Sequence, residues 1–272
     1  MTRDPITATL PGTRTDVLRL LVKHRLTGVP VVRKDGTLAG FVARYHLFSR
    51  PEEEQLAMAM DRDHPSIASD ASLSDLSRTL VQGDVHHLPV VRNGKLVGIV
   101  TPADLMGVIA DLGIDRPVEE IVRSPCVAVH VGTPINVASE IMRLGKVFAL
   151  PVLDGEAHLT GILTDRDIFN VSSIDRKRAV HDLGLEADED AWTWEGLRNV
   201  TRLLWEERKL ELPRVPTREV MVPKPVTVFG KTGVSEAARL MDRHDFGQLP
   251  IVDARDRLFA MLYELDVVTV LA

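Results

Sequence analysis

The sequence predicts an α+β protein made of four β-α-β-β-α repeats. Three observations carry that expectation. A short apolar strand containing a proline recurs four times, each copy is followed by a polar turn and a second apolar strand, and each pair is preceded by apolar residues at helical spacing.

The strand pairs read GVPVVRKDGTLAGFVARYHLF from Gly28, HLPVVRNGKLVGIVTPADLM from His87, ALPVLDGEAHLTGILTDRDIF from Ala149 and QLPIVDARDRLFAMLYELDVV from Gln248. Val31-Val32, Val90-Val91 and Ile251-Val252 are β-branched runs ending at charged or glycine-containing turns, which predicts hairpins. Pro30, Pro89, Pro151 and Pro250 stand at the strand starts, where a ladder donor is dispensable. Upstream, the predicted packing faces are Val17, Leu18 and Leu21, then Leu73, Leu76 and Leu80, then Val137, Ile141 and Leu144, and finally Val234, Ala237, Leu240 and Met241. A further short strand precedes each helix, clearest at 126–129 and 226–229, followed by helix-start signals such as Thr133-Pro134.

The predicted boundaries are 1–56, 57–112 and 113–175 for the first three repeats, 176–216 for an insertion, and 217–272 for the fourth. The insertion holds Trp192, Trp194 and Trp205, and from Glu195 to Glu211 its apolar residues predict one amphipathic helix. Such a helix serves either as a connector between the halves or as a protein-docking surface.

Composition narrows the function. With 44% hydrophobic and 26% charged residues the chain has a globular balance, and a net charge of −6 argues against a nucleic-acid surface, which carries a basic excess. Cys126 is the only cysteine, so no intramolecular disulfide forms and a thiolate metal site has one sulfur to draw on. The start lacks the apolar core of a signal peptide and no stretch reaches the roughly 20 apolar residues of a membrane span, so a cytoplasmic location is expected. No Gly-rich phosphate loop, G-x-S-x-G or H-E-x-x-H occurs, and the chain is read as a non-enzyme without a metal site.

Thr101-Pro102-Ala103-Asp104 and Thr164-Asp165-Arg166-Asp167 each follow a strand and open a helix. Thr with an acidic residue three positions on makes a capping-box-like helix start, worth about 1 kcal/mol without any ligand. The same carboxylate suits the vicinal hydroxyls of a ribose, which acidic residues bind in dinucleotide sites.

The β-α-β-β-α unit with [hydrophobic]-P-[VI]-[VL], a turn, G-[IF]-[VL] and T-x-x-D resembles the CBS (cystathionine-β-synthase) domain over nearly the whole chain. The layout is similar to that of archaeal four-repeat CBS proteins and of the γ subunit of AMP-activated protein kinase. This resemblance implies pairing into two Bateman modules, repeat 1 with 2 and repeat 3 with 4, in a flat disc. It implies a regulatory, energy-sensing protein whose ligand is AMP, ADP or ATP, with ribose held by Thr101, Asp104, Thr164, Asp167 and Asp266. Repeat 4 departs from the motif in carrying Tyr263 for Thr, and repeat 1 carries Ala43 and His46 for Thr and Asp, leaving its site empty or altered.

The resemblance implies phosphate contact just before Leu88-Pro89, where kinase γ subunits place a His-Arg pair: His86 is the closer match and His87 stands where Arg would be, with Arg166, Lys95 and Arg25 as further cations. Read without the family, adjacent strand histidines simply point to opposite faces, one solvated and one packed. The resemblance places adenine against Thr27, Gly28 and Val29 for Asp104, against Phe246, Gly247 and Gln248 for Asp167, and against Phe148, Ala149 and Leu150 for Asp266. Small residues there also suit a tight core. Two alternatives accompany this reading: an interaction module with vestigial sites, and a sensor of S-adenosylmethionine or methylthioadenosine. The expected partners are adenine nucleotides and a regulated protein, with a homodimer compatible and no nucleic acid or membrane.

Overall fold

The computed structural model describes residues 1–24, 26, 28–43, 53–123, 126–145, 147, 149–164, 167–168, 171 and 212–272. The predicted insertion helix with its tryptophans, and also Arg25, Thr27, His46, Phe148 and Arg166, lie outside the described residues.

Among the described residues each repeat has the predicted β-α-β-β order, and repeats 2 and 4 also show the closing helix, Ala103–Asp111 and Glu264–Val268. The hairpins are β3 (Gly28–Val32) with β4 (Leu38–Ala43), β6 (Leu88–Arg92) with β7 (Lys95–Val100), β9 (Ala149–Leu153) with β10 (Leu159–Thr164), and β13 (Gln248–Val252) with β14 (Leu258–Tyr263). A two-residue strand joins each hairpin in parallel: β2 (Ala8–Thr9), β5 (Ile67–Ala68), β8 (Val129–His130) and β12 (Val228–Phe229). These strands are shorter than the apolar runs suggest. The helices Arg14–Lys23, Leu73–Gly83, Ile135–Gly145 and Val234–His244 make the crossovers that parallel pairing requires.

The chain divides into two compact units, the first holding 1–70 and 87–100 and the second 71–86, 101–171 and 212–272, apart from 172–211. In the first unit Ala8, Val17, Leu21, Val29, Val31 and Val42 form a core with Leu56 and Ala59. In the second, helix Ala103–Asp111 packs along Val234–His244. Ser235 Oγ donates to the Ile109 carbonyl and Arg239 Nη2 to that of Ala110 at 2.7 Å, satisfying C-terminal acceptors of the first helix.

Two predicted packing faces are corrected. Leu73 is 50% exposed, whereas Leu80 of the same predicted face is buried, together with Ser77. Val137 and Leu144 are 44% and 67% exposed, while the buried face of their helix is Ile135, Ala138, Ser139 and Met142. That helix is apolar on two faces, and the one with small residues at its centre seats closest to the strands.

Within each unit the segment preceding one repeat crosses the hairpin of its partner. β1 (Thr2–Arg3) pairs antiparallel with β7, Asp61 bridges Phe41 of β4, and β11 (Val222–Pro223) pairs with β10. The hairpin tips also meet, Thr37 with Lys95 and His158 with Arg257. Repeat 1 is thus joined to repeat 2, and repeat 3 to repeat 4. The motif glycine admits the crossing strand: a Cβ on Gly40 would lie 2.4 Å from the Asp61 carbonyl oxygen, and on Gly98 and Gly161 3.0 Å from those of Thr2 and Val222.

Candidate ligand sites at the helix starts

The strand β7 runs directly into helix Ala103–Asp111, so Thr101 and Asp104 sit where extended backbone turns helical. Oδ2 of Asp104 accepts from the Thr101 N–H at 2.9 Å and from its hydroxyl at 3.2 Å. The same geometry recurs after β10: Oδ2 of Asp167 accepts from the Thr164 N–H at 2.8 Å and its hydroxyl at 2.6 Å. Both carboxylates are half-buried. Threonine therefore fixes the rotamer of each aspartate through two donors, one of them a side chain that only Thr or Ser supplies at this reach.

The third carboxylate differs. Asp266 is 2% exposed; Oδ2 accepts from the Tyr263 N–H at 3.0 Å and Oδ1 from the Arg123 N–H at 3.1 Å. Burial, with Cys126 and Asp266 nearby, pushes the Tyr263 phenol up to about 12, so it stays protonated. Burial likewise raises the Cys126 thiol.

The phosphate candidates separate. His86 is exposed, whereas His87 is half-buried with its ring stacked on Phe41 at 5.3 Å between centroids. His64 stacks on the same Phe41 at 4.4 Å, and its Nε2 lies 2.9 Å from the His87 carbonyl oxygen. Lys95 begins β7 at the hairpin tip, where it bridges Thr37.

At the proposed adenine positions, Val29 and Leu150 are wholly buried core residues, and Ala149 lies opposite Thr164 in its hairpin. A Cβ on Gly28 would meet Phe41 Cε1 at 2.5 Å, so its smallness makes room for that ring. Around β13, Phe246 is partly exposed and stacked on His244 at 5.2 Å, Gln248 is half-buried, and the Gly247 carbonyl accepts from the Glu264 N–H at 3.2 Å. Glu264 is missed by motif reasoning. Its carboxyl lies 3.8 Å from where a Gly247 Cβ would be, and burial, then Asp245, pushes it up to about 7. In sequence Glu264 is an acidic residue opening the helix after β14, which reads as an ordinary helix start and carries no signal of this burial. Among the described residues no cluster suits a metal ion, and no helix is long and apolar enough to cross a membrane.

The chain matches the CBS domain over residues 1–53, 55–111, 118–173 and 218–272. It is 26% identical over 172 residues to MJ1225 of Methanocaldococcus jannaschii, covering 57% of this chain and 61% of that one. It is 24% identical over 280 residues to MJ1404 of the same organism, covering 100% of this chain and 61% of that one. The chain thus spans about three fifths of the length of these curated relatives. Among solved structures, a conserved protein of Pyrococcus horikoshii superposes with TM-score 0.72 at 24% identity, covering 100% of this chain and 97% of that one. The structure of MJ1225 superposes with TM-score 0.70 at 17% identity, covering 100% and 98%. These likenesses establish a shared fold, and with four matched segments spanning most of its length, the chain belongs to the CBS domain family.

Proposed function

We propose that the protein is a regulator that binds an adenine nucleotide, AMP, ADP or ATP, at Asp104 and Asp167, and acts through a conformational change or a partner rather than by catalysis. The observation that carries this reading is the pair of half-buried carboxylates, each held by a Thr N–H and hydroxyl at a helix start. The orientation of each carboxylate is fixed before a ribose diol arrives, so little ordering cost falls on binding. Membership of the CBS family supports the ribose role.

A second reading keeps the adenosyl group and dispenses with phosphate, as in S-adenosylmethionine or methylthioadenosine. The stacking of His87 on Phe41 favours it, because that ring is committed to packing.

The test is thermal denaturation of nucleotide-stripped protein with AMP, ADP, ATP and S-adenosylmethionine, beside an Asp104→Ala, Asp167→Ala variant. Ligand at 100 times its dissociation constant adds about 2.7 kcal/mol for one site, which moves the midpoint by several degrees. A shift that the double variant loses is the expected result. No shift with any of the four, in folded and stripped protein, would move the assignment to an interaction module.

A further inference from the structure

The carboxylate of repeat 4 stands apart from the other two in a way that assigns it a different task. Asp104 and Asp167 are half-buried, whereas Asp266 is sealed and holds the main-chain N–H of a residue 143 positions away. That residue, Arg123, ends the segment connecting repeat 2 to repeat 3. The connector is zipped onto repeat 4 along its length. Ile114 N–H donates to Ser235 Oγ at 2.8 Å, Val118 N–H to the Thr232 carbonyl at 2.9 Å, and Glu119 N–H to the Gly230 carbonyl at 3.1 Å. In return Val234 N–H donates to the Arg116 carbonyl at 3.0 Å, and Lys231 pairs with Glu119. Gly230 permits this approach, since a Cβ there would collide with the Glu119 carboxylate.

We infer that repeat 4 is a closed site in which Asp266 locks the 114–123 connector onto the last helix, leaving adenosyl ligands to Asp104 and Asp167. This inference rests on the ligand-binding reading above for its second half only. Asp266 is 2% exposed beneath this segment, so a ribose diol reaching its carboxylate has to lift the end of a connector fastened at several further points. Tyr263 reinforces the closure by bringing a half-buried ring, close to Cys126, where the two competent motifs carry a threonine.

The experiment measures hydrogen exchange at the Arg123 amide, melting midpoint, and calorimetric binding of AMP and of S-adenosylmethionine, in the full chain and in Asp266→Asn. Asparagine keeps the shape but offers one acceptor oxygen to two N–H donors. The expected result is an Arg123 amide protected in the wild type with and without AMP. In Asp266→Asn its exchange rises at least about tenfold and the midpoint falls by roughly 3–8 °C, with affinity and stoichiometry for the probes unchanged. An unprotected Arg123 amide, its deprotection by AMP, or lost binding with an unchanged midpoint overturns the lock. If the wild type binds neither probe, the ligand reading fails by itself, and the effect of Asp266→Asn on Arg123 exchange still decides the lock. If Asp266→Asn does not fold, the wild-type amide with and without AMP decides it.

Discussion

The hydroxyl of Thr164 lies 2.6 Å from Oδ2 of Asp167, and the N–H of the same threonine lies 2.8 Å from the same oxygen. One residue thus supplies both donors that aim the carboxylate. Thr164→Val preserves the shape and the N–H while removing the hydroxyl. Its cost in stability is about 1 kcal/mol, and the loosened carboxylate weakens the ligand roughly tenfold, a loss of about 1.4 kcal/mol. Thr164→Ser restores both. Calorimetric titration of the three proteins with the ligand found by thermal shift checks the split, and equal affinity in Thr164→Val would reduce the hydroxyl to a cap.

Gly28 and Phe41 form a second tightly fitted pair. Phe41 is 1% exposed, covers Gly28, and carries His64 and His87 stacked on it. Gly28→Ala places a methyl where the ring stands and lowers stability by about 1–3 kcal/mol. Combining it with Phe41→Leu frees the space, so the double variant is less destabilised than the sum of the singles. Urea denaturation of the four proteins measures that coupling, and strict additivity would contradict the packing described.

Much of this architecture was legible because its signals are local. The proline-led strands, the turns and the T-x-x-D helix starts each lie within about 20 residues, and the structure places Asp104 and Asp167 at helix starts beside their threonines. Periodicity misjudged the helix Ile135–Gly145 because Val137 and Leu144 repeat as regularly as Ile135, Ala138 and Met142, and only tertiary contact chooses between the faces. The commitments of Gly28 to Phe41 and of Asp266 to Arg123 were illegible for a different reason. Both depend on contacts made after folding, and a motif that reads as ribose-binding in three repeats does not reveal which carboxylate the chain itself occupies.

The crossing strands predict which glycines tolerate a side chain. At Gly40 a Cβ meets the Asp61 carbonyl at 2.4 Å, a backbone atom held by the Phe41–Asp61 bridge. At Gly98 and Gly161 the closest atoms are the sulfurs of Met1 and Met221, which can move, with a carbonyl oxygen at 3.0 Å behind them. Gly40→Ala is therefore expected to lower the melting midpoint more than Gly98→Ala, because only the former pushes the exchanged segment bodily off its partner. Differential scanning calorimetry of the two variants ranks them, and the reverse order would refute the crossing as drawn.

Glu264 predicts a pH dependence with a definite sign. Its carboxyl is pushed from the ordinary 4.5 up to about 7, chiefly by burial and then by Asp245. The folded state therefore binds this proton more tightly than the unfolded chain. The resulting stabilisation is fully present below about pH 4.5 and is lost as pH rises through about 7. A shift of this size corresponds to about 3 kcal/mol at most. The carboxyls of Asp35, Asp75, Asp154 and Asp253 are shifted the other way, each held below its ordinary value by hydrogen bonds from Thr37, Ser72, His158 and Arg257 respectively. Their contributions are lost only on acidification below about pH 4, outside the Glu264 window. Glu264→Gln keeps the shape without the titration, so its stability relative to the wild type should rise between pH 5 and pH 8. Denaturant melts of both proteins across that range isolate the effect. A constant difference would mean that the Glu264 carboxyl is already ionised in the folded protein at pH 5, and that its burial beside Gly247 is compensated by a donor that reaches it.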